Sequence, residues 1–211
     1  FGYSLAALLT GSFLVEVVFS WPGMARLTVV AVFSQDEPLV MASVIMATVT
    51  WPYQTPAAAP LLAERLGSKG AAFDISAACA GYCHGIALAS DMVRTSQADN
   101  VLVLGVERLS DFTDPKDRGT AFIFGDGAGA AVVSASDSPG IGPTVWGSDG
   151  AQWDAISQRE SWIDVHEKDL GWPTIGMAGQ TVFRWAVWGM APVAQRALDA
   201  AGITADQLDA F

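Results

Sequence analysis

The chain holds two cysteines, Cys79 and Cys83, and both fall in residues 75–85, "ISAACAGYCHG", with His84 beside the second. Thiols four residues apart next to an imidazole admit three chemistries: a metal or redox cluster, buried structural thiols, or a single nucleophile. A zinc site takes three or four protein ligands. The other histidine, His166, lies far along the chain, and C-x-x-x-C without a second ligand pair is a weak metal signal. Cys83, well inside a helical pattern, fits a small buried hydrophobe, and His84 fits a packing or surface residue. Cys79 stands apart by position. The run "AAFDIS" reads as a strand ending near Ser76, and a helical pattern starts just after Cys79. There, free helix N–H groups and the positive dipole end favour a thiolate. Ala77, Ala78, Ala80 and Gly81 leave room for a substrate. Strand, sharp turn, nucleophile, helix is a common way to present an attacking atom at a sheet edge. On these residues alone, nucleophile and structural thiol both stay open for Cys79.

The elements that must position this turn alternate. "VIMATVT" is a β-branched run suited to a buried strand, and "WPYQTPAAAP" is a Pro-punctuated loop. "AAAPLLAERLG" is a helix closed by Gly67, and "AACAGYCHGIALASDMVRTS" is a second helix. "NVLVLGVERLS" is a strand, followed by the polar loop "DFTDPKDRGT" and the segment "AFIFGDGAGAAVVSAS". A loop-rich acidic stretch then leads to a long helix from about Gly179 to Ala201. Apolar strands alternating with helices predict an α/β architecture with a sheet covered on both faces. "FGDGAGA" lacks the Lys-Ser/Thr of a phosphate-binding loop and opens no helix, so it reads as a tight turn feeding a strand. Glu107 and Asp126 are candidate bases by type. Trp146, Trp185 and Trp188 read as core or interface aromatics.

Composition limits the functions. Of 211 residues, 51% are hydrophobic and 16% charged, with a formal net charge of −11; the mean hydropathy is +0.34 and the pI about 4.3. The acidic balance argues against a general nucleic-acid binder, which needs a basic footprint. Two cysteines four apart are no disulfide framework, so a reducing, cytoplasmic setting is the default. The apolar excess is concentrated in residues 1–46, where Glu16 is the one charged side chain between Tyr3 and Phe19. That run is at the short end for a bilayer-spanning helix and lacks the features of a signal peptide. "GSFLVEVVFSWPGMARL", through Glu16, Phe19, Trp21, Pro22 and Gly23, resembles a segment of the permease subunits of dipeptide/oligopeptide ABC importers. This implies a foreign, mainly apolar helical segment with possible membrane contact. The alternative function is accordingly a chimeric or membrane-transport permease fragment without catalysis.

From about residue 44 onward the chain closely resembles β-ketoacyl-acyl carrier protein synthase III, the condensing enzyme that starts type II fatty-acid synthesis. The resemblance rests on "TPAAAPLLAERLG", "AAFDISAACAGY", "VLVLGVERLSDFTD", "DRGTAFIFGDGAGAAVV", "IGPTVWGSDG" and "GQTVFRWAVWGMAPVAQRALDAAGI", in family order. It implies a thiolase-like fold of layered α/β sheets in two similar halves, incomplete at both ends. The implied organisation is the apolar segment at 1–46, a partial N-terminal half at 47–138 and the start of a C-terminal half at 139–211. The resemblance makes Cys79 the nucleophile that takes an acyl group from acyl-CoA and then condenses it with malonyl-acyl carrier protein. It places Arg118 at the CoA adenine, and Met177, Gly179 and Phe183 along the pantetheine tunnel. Phe124 lines the catalytic pocket, and Thr55 reaches toward a partner subunit's acyl pocket. Arg184 stands where acyl carrier protein docks. It further implies a homodimer, no cofactor and no metal, and structural roles for Glu107 and Asp126. The family's catalytic His and Asn are expected beyond Phe211, and neither His84 nor His166 aligns with that His.

Overall fold

A computed structural model describes residues 42–138 and 140–210. The permease-like helix expected before residue 42 lies outside the described residues. Residues 43–46, the end of that apolar stretch, begin the first strand of the sheet. The chain divides into two compact units: one made of residues up to Glu107 with Gly127–Ala135, the other of Arg108–Asp126 with the residues from Ser136 onward.

The first unit is a four-stranded sheet in the order β2-β1-β3-β4. The strands are β1 Ser43–Ala47, β2 Ala72–Ile75, β3 Asn100–Arg108 and β4 Asp126–Ser134. β1 runs parallel to both neighbours, with Ala47 level with Ile75 on one side and Gly105 on the other. Parallel neighbours require crossovers, supplied by α1 Ala59–Leu66 and α2 Gly81–Arg94. β2 and β3 flank β1 on opposite sides, so crossovers of one hand put the two helices on opposite faces. The side chains follow the strand period of two. Val44, Met46, Leu102 and Leu104 form one core with Ala58, Ala59, Ala63 and Leu66 around α1. Ile45 and Val103 point the other way, toward Gly85 of α2. With both faces covered, every position of β1 is buried and every one is small or apolar except Ser43.

The expected coverage on both faces holds for β1 and for Val101–Leu104 of β3, and fails at the sheet's two outer strands. β2 is half-buried, and β4 is exposed at nearly every residue. β4 is a terminal strand, between Asp126 and Ser134 made of Gly, Ala and Val, with little apolar surface to bury. α1 has Pro60 in its first turn and closes at Gly67 in the left-handed conformation (φ 73°), as its sequence predicts.

The second unit carries more regular structure than its sequence suggests. β5 Ile156–Gln158 and β6 Ile175–Met177 pair antiparallel, with Ile156 opposite Met177. Between them, α3 Trp162–Glu167 is capped by Ser161, whose hydroxyl accepts from the Asp164 N–H at 3.0 Å. Strands of three residues and a helix of six are too short to impose a periodicity. Trp162, Trp172 and Phe112 cluster with ring centroids 5.4–6.3 Å apart. The long helix is α4 Gly179–Ala201, at the predicted boundaries. Trp146, Trp185 and Trp188 are 54%, 46% and 76% exposed, so of the two readings, core or interface, the core one does not hold. α4 buries none of its residues against the described chain. Among the described residues no helix is long and apolar enough to cross a membrane.

Candidate active site

Cys79 sits, exposed, in the single turn of 3-10 helix Ala78–Ala80 between β2 and α2. Ala78 immediately before it has φ 44°. A residue with a Cβ held there costs about 1–3 kcal/mol, so the surrounding packing must enforce the turn. α2 supplies that packing by pressing against the sheet through small residues. A Cβ on Gly81 would come 3.1 Å from Ala47 Cβ, and one on Gly85 would come 2.9 Å from Val103 Cγ1. Ala89, one turn further along, is fully buried. The Tyr82 ring lies against Gly105 of β3, where an added Cβ would meet its Cδ2 at 3.1 Å. Ala78 and Ala80 are exposed beside Cys79, in keeping with an open approach. Gly81 is buried, and its smallness seats the helix rather than admitting a substrate.

Cys83 is exposed as well, which corrects its reading as a buried thiol. It projects from α2 on the side away from the Gly81–Gly85–Ala89 stripe. His84 is half-buried. Among the described residues no three His, Cys, Asp or Glu side chains group as metal ligands.

The turn lies at the carboxyl ends of the parallel strands, where open α/β sheets place their ligand sites. The loop after β1 is braced beside it. Glu107, at the end of β3, accepts from the Val49 N–H at 3.0 Å and the Thr50 hydroxyl at 2.8 Å. The Trp51 indole donates to the Pro56 carbonyl at 2.9 Å. Thr55 stands exposed at the tip of this loop. Both carboxylate oxygens of Asp74 on β2 accept backbone N–H groups at the start of α1, from Ala58 and Ala59, each at 2.8 Å. Asp74 therefore caps a helix whose own N-cap is an alanine.

In the second unit, exposed Arg118 rides on the turn 114–120. Asp117 shapes that turn: its carboxylate accepts from the Gly119 N–H at 2.8 Å and from the Arg159 guanidinium at 2.6 Å. These contacts, the Gly119 bond foremost, hold Asp117 below the usual carboxylate range. Arg159 leaves the end of β5 and lies across β6, where a Cβ on Gly176 would meet its Nε at 2.9 Å. It thus joins the Arg118 turn to the strand carrying Met177. Met177 Cε lies 3.6 Å from the Cβ position of Gly179. Phe183 and Arg184 follow on the exposed first turns of α4, Phe183 being 73% exposed. Phe124 is half-buried after the turn 120–123, its N–H donating to the Thr120 carbonyl at 3.3 Å. Asp126 accepts from the Ser110 N–H at 2.8 Å and its hydroxyl at 2.7 Å, which lowers its pKa. "FGDGAGA" does feed a strand, β4.

Sequence reasoning missed Asp74, Asp117 and Arg159. Asp74 had a usable signal: an acidic residue in a strand next to a helix start that lacks its own cap. Arg159, in "SQRES", belongs to no motif.

Residues 73–150 match the family described as 3-oxoacyl-[acyl-carrier-protein (ACP)] synthase III. The β-ketoacyl-[acyl-carrier-protein] synthase III of Streptomyces glaucescens is 56% identical over 171 residues, covering 80% of this chain and 51% of the relative. That of Kocuria rhizophila is 48% identical over 195 residues, covering 81% of this chain and 55% of the relative. Among solved structures, the priming β-ketosynthase of the R1128 polyketide biosynthetic pathway superposes with a TM-score of 0.76 at 42% identity. It covers 81% of this chain and 52% of that one. The chain spans about half the length of the curated relatives it matches.

A parallel sheet with helices on opposite faces and a cysteine at its carboxyl edge, superposing on these structures, defines a thiolase-fold condensing-enzyme scaffold. Over about four-fifths of its length the chain is similar to 3-oxoacyl-[acyl-carrier-protein] synthases III, whose family model matches residues 73–150. The permease resemblance of residues 1–46 is not borne out: the family and the relatives that the chain matches are synthases.

Proposed function

We propose that the chain carries the acyl-accepting half of a β-ketoacyl-acyl carrier protein synthase III. The Cys79 thiolate attacks the thioester carbonyl of acyl-CoA, CoA leaves as its thiolate, and the acyl group is held on Cys79. In the second half-reaction malonyl-acyl carrier protein loses carbon dioxide, and the resulting enolate carbon attacks the acyl-Cys79 thioester. The Cys79 thiolate is released, and a 3-ketoacyl product starts a fatty acid. Decarboxylation drives the carbon–carbon bond, so neither a redox group nor a metal is required by the chemistry. Arg118 takes the CoA adenine, and Met177, Gly179 and Phe183 line the path of the pantetheine arm. Phe124 and Thr55 border acyl pockets, Thr55 toward the partner in a homodimer, and Arg184 meets the acidic carrier protein. The proposed setting is the cytoplasm.

The observation that supports this most is the exposed thiol of Cys79 in an enforced turn between a parallel strand and a helix start. The test is incubation of the chain with acetyl-CoA, followed by peptide mass spectrometry of residues 70–94. An acetyl group on Cys79, absent from Cys79→Ser and retained in Cys83→Ser, is the expected result. Acetylation that follows Cys83 instead, or none at all in a folded chain, would refute it.

A further inference from the structure

Cys83, in the first turn of α2, has no part in the chemistry above, yet it is exposed four residues from Cys79, whose 3-10 turn runs directly into that helix. Side chains four apart on a helix are neighbours, with Cβ atoms about 5–6 Å apart. A disulfide needs Cβ atoms about 3.5–4.5 Å apart, so direct oxidation of this pair would require the helix start to unwind. A bridge with one atom between the sulfurs spans the wider gap without that distortion. A three-coordinate soft electrophile supplies such an atom, using two thiolates and keeping one substituent of its own.

We propose that Cys79 and Cys83 form a two-thiol clamp for trivalent arsenicals. The reaction is a ligand exchange at arsenic. Each thiol gives its proton to an arsenic-bound hydroxide, two waters leave, and two As–S bonds form while arsenic stays trivalent. No oxidant or reductant takes part. Both sulfurs are open to solvent, and on the opposite side Gly81 and Gly85 lock α2 onto β1 and β3. The clamp is therefore pre-set on a rigid base, and the second As–S bond forms within one molecule at high effective concentration. These are the only cysteines in the chain, so every thiol signal belongs to them. An occupied clamp also removes Cys79 as an acyl acceptor, a consequence that rests on the function proposed above; binding itself does not.

The probe is phenylarsine oxide, titrated onto the reduced chain and read by intact mass and by loss of alkylatable thiol. The expected product carries one arsenical per chain with both thiols lost. It withstands excess 2-mercaptoethanol and is reversed by dithiothreitol. Cys79→Ser and Cys83→Ser, with folding checked by circular dichroism, should each bind about 10²-fold more weakly and release the arsenical to the monothiol. An adduct that leaves one thiol alkylatable, arsenic-linked pairs of chains, or single variants that bind like the parent would overturn the clamp. Ready formation of an intramolecular disulfide with diamide would overturn the spacing argument beneath it. Acetyl transfer at Cys79 is read separately, so its failure leaves this result standing.

Discussion

The contact between Gly85 and Val103 gives the sharpest handle on how the Cys79 turn is held. An alanine at residue 85 gains about 1 kcal/mol over glycine in a helix interior. Its Cβ, however, would stand 2.9 Å from Val103 Cγ1, several tenths of an ångström inside ordinary contact. Val103 is fully buried and β-branched, so it cannot swing aside. Overpacking of this kind costs about 1–3 kcal/mol. Gly85→Ala should therefore be neutral to about 2 kcal/mol destabilising. In a Val103→Ala background the obstructing methyl is gone. The next nearest atoms, Ile45 Cγ2 at 3.7 Å and Ile75 Cδ1 at 4.0 Å, are ordinary contacts. There the same substitution should stabilise by about 1 kcal/mol, giving a coupling of about 1–3 kcal/mol. Urea unfolding followed by far-ultraviolet circular dichroism on the four proteins measures it. The rate of Cys79 alkylation by iodoacetamide should fall in Gly85→Ala and recover in the double variant. If Gly85→Ala stabilises both backgrounds by the same amount, α2 does not ride as close to the sheet as described, and the account of the turn fails.

Three further outcomes follow from the contacts around the two units. Asp74→Asn leaves one amide oxygen in place of two carboxylate oxygens at the start of α1, sets its NH2 against a backbone N–H, and should lower stability by about 1–2 kcal/mol, read from the urea midpoint. Asp117 and Asp126 are both held below the ordinary carboxylate range by N–H and hydroxyl donors. A carboxylate with a depressed native pKa stabilises the fold above its unfolded value, about 3.9, and that contribution fades as the pH falls through the native value. The double variant Asp117→Asn/Asp126→Asn should then lose less stability than the parent between about pH 5 and pH 2; parallel curves would refute the assignment. Arg159→Ala should loosen the Arg118 turn from β6 and weaken retention on immobilised CoA, with little change in Cys79 alkylation. A variant that binds CoA like the parent would leave Arg159 with no positioning role.

What the sequence displayed follows from how each feature is encoded. β1, α1, α2 and α4 were legible because burial on two faces, a helical period and a closing glycine all leave marks within one element. The hairpin β5–β6 and α3 were not, being shorter than any period that could reveal them. Cys79 was legible by its place between a strand and a helix, and the structure adds the positive φ of Ala78 that no residue pattern announces. Cys83 was misjudged because helical position fixes a face and not what covers it. At this end of α2 the covered residues, Gly81 and Gly85, lie on another side, and along Cys83's own row cover begins only at Ala87. For the tryptophans of α4 only the core alternative is excluded: aromatic type predicts a partner, and which surface supplies it is a matter of tertiary and quaternary structure.

Apart from Glu107, which its type singles out, the residues that support these turns were the hardest to see, for a physical reason. Asp74, Glu107 and Asp117 each satisfy backbone N–H groups of a turn or helix start. Such bonds matter because loop N–H groups removed from water cost free energy when unpaired. The acceptor need only reach the turn in space, so its place in the chain is free: Asp74 stands 16 residues from the Ala58 amide it caps, and Glu107 stands 58 from Val49. Nucleophiles announce themselves because chemistry demands a residue type at the point of attack. Their supports need only a carboxylate or a guanidinium at the right distance, and many positions in an acidic chain offer one. In this scaffold the proposed nucleophile is therefore written locally in "SAACAG", while the supports of the first helix and of the loop after β1 are carboxylates on strands distant in sequence.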